Sequence, residues 1–145
     1  MWLPDVNVLL GAVFAQMPHH STARAALEEA YDSGHTVAHA WVALTGFIRI
    51  ATRRGAIDSP LEVGPALQIM DRWMSHPRSM VIHPGPRHAA ILSRLLLGAG
   101  RAGNLTTDAH LAAIAIEHGA TLASFDRDFE AFAGLRFQFL KAPLS

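Results

Sequence analysis

At 145 residues, with half of them hydrophobic and 17% charged, the chain is long enough to bury a core and too apolar to be disordered. Because its 12 basic and 12 acidic residues cancel, overall charge does not favour nucleic acid, and phosphate binding would need a local basic patch. The absence of cysteine excludes disulfides and thiolate metal sites, and no apolar run reaches the roughly 20 residues of a membrane span, so we expect a cytoplasmic protein.

Hydrophobic spacing, glycine and proline divide the chain into strands that alternate with helices. In chain order the predicted elements are strand 2–5, helix 8–14, a helix from Ser21 or Thr22 to Tyr31, strand 36–38, helix 41–52, helix 60–74, strand 79–83, helix 86–97, loop 98–103, helix 108–118, strand 121–124, a turn or short helix at 128–132, and strand 135–139. This alternation predicts an α/β fold with a central parallel sheet and helices on both faces. No repeat or linker divides the chain, so we expect one domain over residues 1–145.

Acidic residues stand at three distant places where an apolar segment meets a turn. Asp5 ends the first strand, Asp126 follows strand 121–124, and Asp108 opens the helix before that strand. Ligands of parallel sheets bind at the carboxyl ends of the strands, so Asp5 and Asp126 should meet there, and a helix start can face the same crevice. Carboxylates that converge repel each other and need a divalent cation such as Mg²⁺, which prefers oxygen ligands. The pattern therefore indicates metal-dependent phosphodiester chemistry.

Each of these aspartates also has an ordinary structural explanation. Asp108 is typical of the first turn of a helix, where the helix dipole favours an acid. Asp126 and Asp128 flank Arg127 in a turn, another common place for aspartate. Asp5 should be partly buried between an apolar strand and an apolar helix, and a buried carboxylate needs a partner. The functional hypothesis depends on the three sites together.

Three motifs resemble those of PIN domains, and among these the VapC toxins of bacterial toxin–antitoxin pairs. The motifs are Asp5-Val6-Asn7-Val8-Leu9-Leu10, Thr107-Asp108-Ala109-His110-Leu111, and Ser124-Phe125-Asp126-Arg127-Asp128-Phe129. The resemblance extends over essentially the whole chain, and the last two motifs in tandem are its most specific part.

The resemblance implies a Mg²⁺- or Mn²⁺-dependent endoribonuclease that hydrolyses RNA phosphodiester bonds with a metal-activated water. It also implies a homodimer and a cognate VapB-like antitoxin that blocks the site, with transfer or ribosomal RNA as the substrate class. Asp5, Asp108 and Asp126 match the metal-binding and catalytic carboxylates of the family. Asp128 matches an additional metal-binding acid, and Ser124 matches a hydroxyl near the metal that we expect to contact substrate.

The chain departs from the family pattern at residues 41–46, where PIN domains usually have a glutamate and this chain has no acid. Thr45 holding a water, Asp128 supplying the missing charge, and weak metal binding are all open explanations. Arg101, in the glycine-rich loop, is a candidate contact to a substrate phosphate. Arg49, Arg53 and Arg54 suit the helix dipole, and for them, as for Arg101, we favour an ordinary solvated position.

Two other classes of function compete with the nuclease. The first is a catalytically weak or inactive PIN-fold module that binds RNA or antitoxin, which the missing glutamate keeps open. The second is a receiver-like signalling domain, which is disfavoured because Asp5 has no acidic neighbour and no acceptor aspartate follows a central strand. His110 is either a substrate contact or, more commonly for such a helix residue, a polar surface group. The aromatic residues Trp41, Phe47 and Trp73 are expected in the core or at a dimer surface.

Overall fold

The computed structural model describes residues 1–141, and within them a sheet of five parallel strands is surrounded by six helices and one 3₁₀ turn. The strands are β1 Trp2–Pro4, β2 Val37–His39, β3 Ser79–Val81, β4 Thr121–Ser124 and β5 Arg136–Phe139. The helices are α1 Val6–Val13, α2 His20–Asp32, α3 Trp41–Ala51, α4 Val63–Ser75, α5 His88–Ala99 and α6 Leu105–His118, and the 3₁₀ turn is Arg127–Ala131. None of the helices in this part of the chain is long and apolar enough to cross a membrane.

The strand order β3-β2-β1-β4-β5 places the first strand in the middle of the sheet. Trp2 is in register with Val37 of β2 on one side and with Thr121 of β4 on the other, and both pairings are parallel. Strands β2 and β3 therefore lie on one side of β1, and β4 and β5 lie on the other. The crevice beyond the carboxyl ends of β1 and β4 is the topological switch point, where open α/β sheets bind ligands.

Helices cover both faces of the sheet, as predicted. On one face Leu3 and Leu122 are fully buried in a core with residues of α5 and α6. On the other face Ala123 packs with Val8 of α1 and Ala23 of α2. A further cluster joins α1, α3 and α4 and buries Leu9, Leu44 and Phe47 completely. Because β1 is buried from both sides, it consists of apolar residues only, as expected for the centre of a parallel sheet.

Several predicted element boundaries are wrong, and the backbone shows why. Helix α4 begins at Val63 instead of residue 60, because the Leu61 N–H donates to the carbonyl of Ala51 and keeps this segment outside the helix. Helix α2 begins at His20, so the predicted caps Ser21 and Thr22 lie inside it. The predicted single domain over residues 1–145 stays a prediction, since residues 142–145 lie outside the described part.

The glycine-rich segment and the acidic helix also differ from the prediction. Gly98 is helical, and α5 continues to Ala99, with Gly100 at a φ of 73° as its left-handed C-cap. Helix α6 begins at Leu105, three residues before the predicted start, which places Asp108 within its first turn. The remaining loop is therefore shorter than the sequence indicated, and Arg101 is exposed in it.

The aromatic residues are divided between core and surface. Phe47 is fully buried, and its ring lies 4.8 Å from that of the half-buried Trp73 in an edge-on contact. Trp41 is 43% exposed, because it is the first residue of α3, beyond the carboxyl end of β2. Phe47 and Trp73 are therefore in the core as predicted, whereas a place for the exposed Trp41 at a dimer surface stays a prediction.

Gly11 of α1 lies close against the start of α2. A Cβ atom on Gly11 would lie 2.6 Å from Cδ2 of His19 and 2.9 Å from Cβ of Ala23, both too close for real contacts. The carbonyl of Gly11 also lies 2.7 Å from Nδ1 of His20. Since α1 begins immediately after Asp5, this contact helps to fix the helix that orients the carboxylate.

We expect Gly11→Ala to lower the free energy of unfolding by about 1–3 kcal/mol, because the added methyl group overpacks the α1–α2 contact. Gly98→Ala is the matched control, since it is also helical and a Cβ atom there meets nothing within 4 Å. The control should raise the stability by roughly 0.5–1 kcal/mol through helix propensity. Urea denaturation of the three proteins measures both effects, and equal effects at the two glycines would contradict the packing argument.

Candidate active site

The carboxylate of Asp5 is fixed at the junction of β1 and α1. Its backbone N–H donates to the carbonyl of Ala123 at 2.9 Å, which continues the pairing of β1 with β4. Its Oδ1 accepts from the N–H of Val6 at 2.7 Å, and its Oδ2 accepts from the hydroxyl of Ser124, also at 2.7 Å. The residue is only 8% exposed. The partner that burial of Asp5 required is therefore a serine of the neighbouring strand.

Ser124 connects the ends of the two central strands. While its hydroxyl donates to Asp5, its oxygen accepts from the N–H of Asp126 and from the side-chain amide of Asn7, each at 3.0 Å. The side-chain Oδ1 of Asn7 in turn accepts from the backbone N–H of Phe125 at 3.3 Å. Ser124 is completely buried, so its hydroxyl is not exposed for the direct contact with substrate that we predicted. Its hydrogen bonds position two aspartates instead.

Three of the predicted metal-binding acids come together in space. One carboxylate oxygen from each of Asp108, Asp126 and Asp128 can be chosen so that all three lie within 4.8 Å of one another. Asp108 comes from the first turn of α6, Asp126 from the end of β4, and Asp128 from the 3₁₀ turn, where its N–H donates to Oδ1 of Asp126 at 2.9 Å. Asp5 lies beside this triad but outside it.

The electrostatics of the site indicate mutual repulsion among these groups. Burial raises the pKa of Asp108 to about 6, and the charges of Asp5, Asp126 and Asp128 contribute to the rise. Burial also raises the pKa of Asp5, against the hydrogen bonds from Ser124 and Val6, and the charge of Asp126 adds to it. A set of hard oxygen ligands whose charges repel one another is the donor set that a divalent cation such as Mg²⁺ fits.

These carboxylates face a cleft of about 540 Å³ that opens at the switch point of the sheet. The cleft is lined by Asp5, Val6, Asn7, Val42, Ala43, Thr45, Gly46, Arg49, Thr107, Asp108, Leu111 and Asp126. The other wall of the cleft is α3, and none of the α3 residues that line the cleft is acidic. The lack of an acid at residues 41–46 therefore leaves this wall without a carboxylate. The Thr45 hydroxyl donates to the carbonyl of Trp41 at 2.7 Å, so toward a water it can act only as an acceptor.

Two residues of the cleft were not expected from the sequence. Asn7 follows Asp5 by two positions. This spacing alone does not indicate that the side-chain amide of Asn7 reaches the neighbouring strand. Arg49 is exposed, as expected for the end of α3, and it also lines the cleft that the aspartates line. Its helical spacing from Thr45, four residues earlier, was the signal that both side chains share one face.

Two further candidates lie outside the cleft lining. Arg101 is exposed in the loop before α6, and its contact with a phosphate stays a prediction. His110 is half-buried and its Nδ1 lies 2.9 Å from Nε2 of His88, so it is neither a free surface group nor a residue of the cleft. Burial and the neighbouring His88 lower the pKa of His110. Within residues 1–141 the acidic triad is the only group of three or more His, Asp or Glu side chains whose ligand atoms lie within 4.8 Å of one another.

Comparison with known proteins places this geometry in a family. The PIN domain family model matches residues 3–135. Ribonuclease VapC37 of Mycobacterium tuberculosis is 40% identical over 137 residues, which cover 94% of this chain and 95% of the relative.

Solved structures share the fold at much lower sequence identity. VapBC2 from Rickettsia felis, bound to a DNA fragment from its promoter, aligns with a TM-score of 0.71 at 17% identity, over 97% of this chain and 98% of the other. VapBC-1 from nontypeable Haemophilus influenzae aligns with a TM-score of 0.65 at 16% identity, over 95% and 96%. Together with the matching family model, these likenesses confirm the predicted PIN-like α/β fold.

The raised pKa of Asp108 predicts how stability depends on pH without metal. The folded protein holds the Asp108 proton up to about pH 6, whereas the unfolded chain releases it near the ordinary value of 3.8. Between these values the folded state binds more protons, so this group's contribution to stability falls as pH rises and is constant above about pH 6.5.

We therefore expect Asp108→Asn to become more stable than the original protein as pH rises from 4 to 6.5. The gain should be on the order of 1–2 kcal/mol, which is less than the full pKa shift would give, because solvent screens a half-buried carboxylate. Urea denaturation in EDTA across this pH range measures the difference. A difference that does not change with pH would show that Asp108 is not destabilised by its neighbours.

Proposed function

We propose that this chain, which belongs to the VapC ribonucleases of the PIN-domain family, is the toxin of a toxin–antitoxin pair and cleaves RNA as an endoribonuclease. The observation that carries the proposal is the cleft at the sheet's switch point, where Asp5, Asp108 and Asp126 converge from β1, α6 and β4. The 40% identity to a ribonuclease over nearly the full length of both chains supports it.

The cofactor that suits these residues is Mg²⁺, with Mn²⁺ as an equivalent hard cation. Asp108, Asp126 and Asp128 would hold it, with Asp5 adjoining, because their oxygens are close together and carry repelling charges. A divalent cation at this place supplies Lewis-acid activation of a water and of the phosphate, and it neutralises charge that develops on the leaving oxygen.

The protein's own contribution is to hold these carboxylates in place before the cation and RNA arrive. Ser124 donates to Asp5 and accepts from the N–H of Asp126, so one buried hydroxyl fixes the spacing between two acids. Asn7 holds the same hydroxyl and the backbone of Phe125. Asp108 must release its proton to bind a cation, so activity should fall as pH drops below about 6.

We further propose the partners of this toxin. The VapBC assemblies among the solved structures of the same fold support a VapB-like antitoxin as the partner. A homodimer in the cytoplasm, acting on transfer or ribosomal RNA, completes the proposal.

A second candidate is a PIN-fold module that binds RNA or antitoxin and does not cut. The observation in its favour is the α3 wall of the cleft, where Val42, Thr45 and Gly46 stand and no acid completes the carboxylate set. A site with fewer ligands binds its cation less tightly and would leave RNA bound but intact.

The nuclease proposal predicts metal-dependent RNA cleavage by protein freed of any copurifying partner. Total bacterial RNA should be cut into discrete fragments in Mg²⁺ or Mn²⁺ and left intact in EDTA. Asp5→Asn and Asp126→Asn should each lower the cleavage rate on the order of 100-fold or more, because each removes a charge that the cation requires. Gel analysis of the RNA over time measures the rates.

Asp71→Asn is the matched control, since Asp71 is exposed on α4 away from the cleft, and it should cut at the original rate. Thermal unfolding of each variant confirms that lost activity is not lost folding. Cleavage in EDTA, or full activity of Asp126→Asn, would contradict the metal-dependent mechanism. Intact RNA after incubation with folded, Mg²⁺-supplied protein would favour the binding module.

A further inference from the structure

The α3 wall of the cleft presents one face of a helix to the acidic wall. Val42, Gly46 and Arg49 follow one another at spacings of four and three residues, and Thr45 lies beside them, so all four line the cleft. The acidic wall opposite carries Asp5, Asp108 and Asp126. The cleft is therefore lined by three carboxylates and, on the α3 wall, by one guanidinium.

Arg49 is the sole basic residue that lines the cleft in the described part of the chain. Its side chain is exposed, and the ion pairs found among residues 1–141 are Arg24–Glu28 and Arg127–Glu130, so no carboxylate lies within 4.0 Å of its guanidinium. An arginine stays charged at every pH at which a protein is folded. A permanent, unpaired positive charge thus faces the cleft.

The missing acid and the unpaired arginine are connected. An acid at position 45 would stand one helical turn before Arg49, the spacing at which acidic and basic side chains pair along a helix. Thr45 stands there instead, and its hydroxyl is bound to the carbonyl of Trp41. With no acid on α3, Arg49 has no partner one helical turn away on its own helix and stays available to a ligand.

We propose that Arg49 binds a phosphate of the RNA strand in the cleft, on the side opposite the carboxylates, and so positions the strand for cleavage. The guanidinium is a planar fork whose N–H groups match two oxygens of a phosphate, a geometry that lysine does not offer. The chain has no net charge, so a local group of this kind has to supply the attraction that overall charge does not. The inference rests on the proposed ribonuclease function.

A different role for Arg49 would be to neutralise the aspartates across the cleft when no cation is present. The two roles predict different measurements. A phosphate contact changes the affinity for RNA and its salt dependence. A neutralising charge changes the concentration of Mg²⁺ at half-maximal activity and leaves the affinity for RNA unchanged.

The test compares Arg49→Ala and Arg49→Lys with Arg53→Ala, an exposed arginine just past the end of α3 and outside the cleft. The substrate is a labelled RNA fragment that spans the first site cut by the original protein in total bacterial RNA. We expect Arg49→Ala to raise KM about tenfold with kcat changed less than about threefold, and Arg49→Lys to be intermediate. Arg53→Ala should match the original protein.

Binding of the same fragment in EDTA provides a readout that needs no catalysis. The slope of log Kd against log salt should fall by about 0.7 in Arg49→Ala, the value for one lost contact to single-stranded phosphate. Equal KM, affinity and salt slope for Arg49→Ala and Arg53→Ala would overturn the inference. An altered Mg²⁺ requirement with unchanged RNA affinity would overturn it in favour of the neutralising role.

Failure of the proposed function is distinguishable from failure of this inference. If the original protein cuts no RNA, the ribonuclease proposal fails, and Arg49 is then tested by binding of labelled bulk transfer RNA. Weaker binding by Arg49→Ala than by Arg53→Ala would still support the phosphate contact, and equal binding would reject it. Because Arg49 is exposed, its substitution should leave the thermal unfolding temperature unchanged, which the same samples verify.

Discussion

Repulsion among carboxylates at the switch point of the sheet is the constraint on which the site depends. Asp5, Asp108, Asp126 and Asp128 reach it from four different elements, and the pKa of Asp108 is raised to about 6 by burial and by the other three charges. Such an arrangement costs stability when the acids are ionised and no cation is present. The fold maintains it with backbone and side-chain hydrogen bonds, and a divalent cation bound there would relieve the repulsion.

The parallel sheet gives this arrangement its geometry. Because β1 and β4 are adjacent and in register, residues that follow them in the sequence meet although more than a hundred positions separate Asp5 from Ser124. The buried Ser124 hydroxyl then sets the spacing of Asp5 and Asp126. The second wall comes from α3, whose exposed face brings Arg49 to the cleft. The carboxylates and the arginine thus come from separate elements that line one crevice.

The sequence predicted the parts of this structure that depend on local pattern and on strand ends. The α/β order, the placement of Asp5 and Asp126 at strand ends, and Asp108 at a helix start all follow from apolar spacing and turns. Other features depend on tertiary contacts that no local pattern encodes. The start of α4 is set by a hydrogen bond from Leu61 to Ala51, and the buried role of Ser124 depends on which strand lies beside it. The sequence predicted that Arg49 is solvated but not that it also lines the cleft, because both positions have the same sequence pattern.

Direct measurement of cation binding tests the central claim, that the acidic cluster is a divalent metal site. Mn²⁺ is titrated into the protein at pH 7.5, and electron paramagnetic resonance of the free ion reports how much is bound. The account predicts saturable binding by the original protein and by Asp71→Asn, with affinity lowered about ten- to a hundredfold in Asp126→Asn. Absence of binding by the original protein, or equal affinity in Asp126→Asn, would show that the cluster is not a metal site.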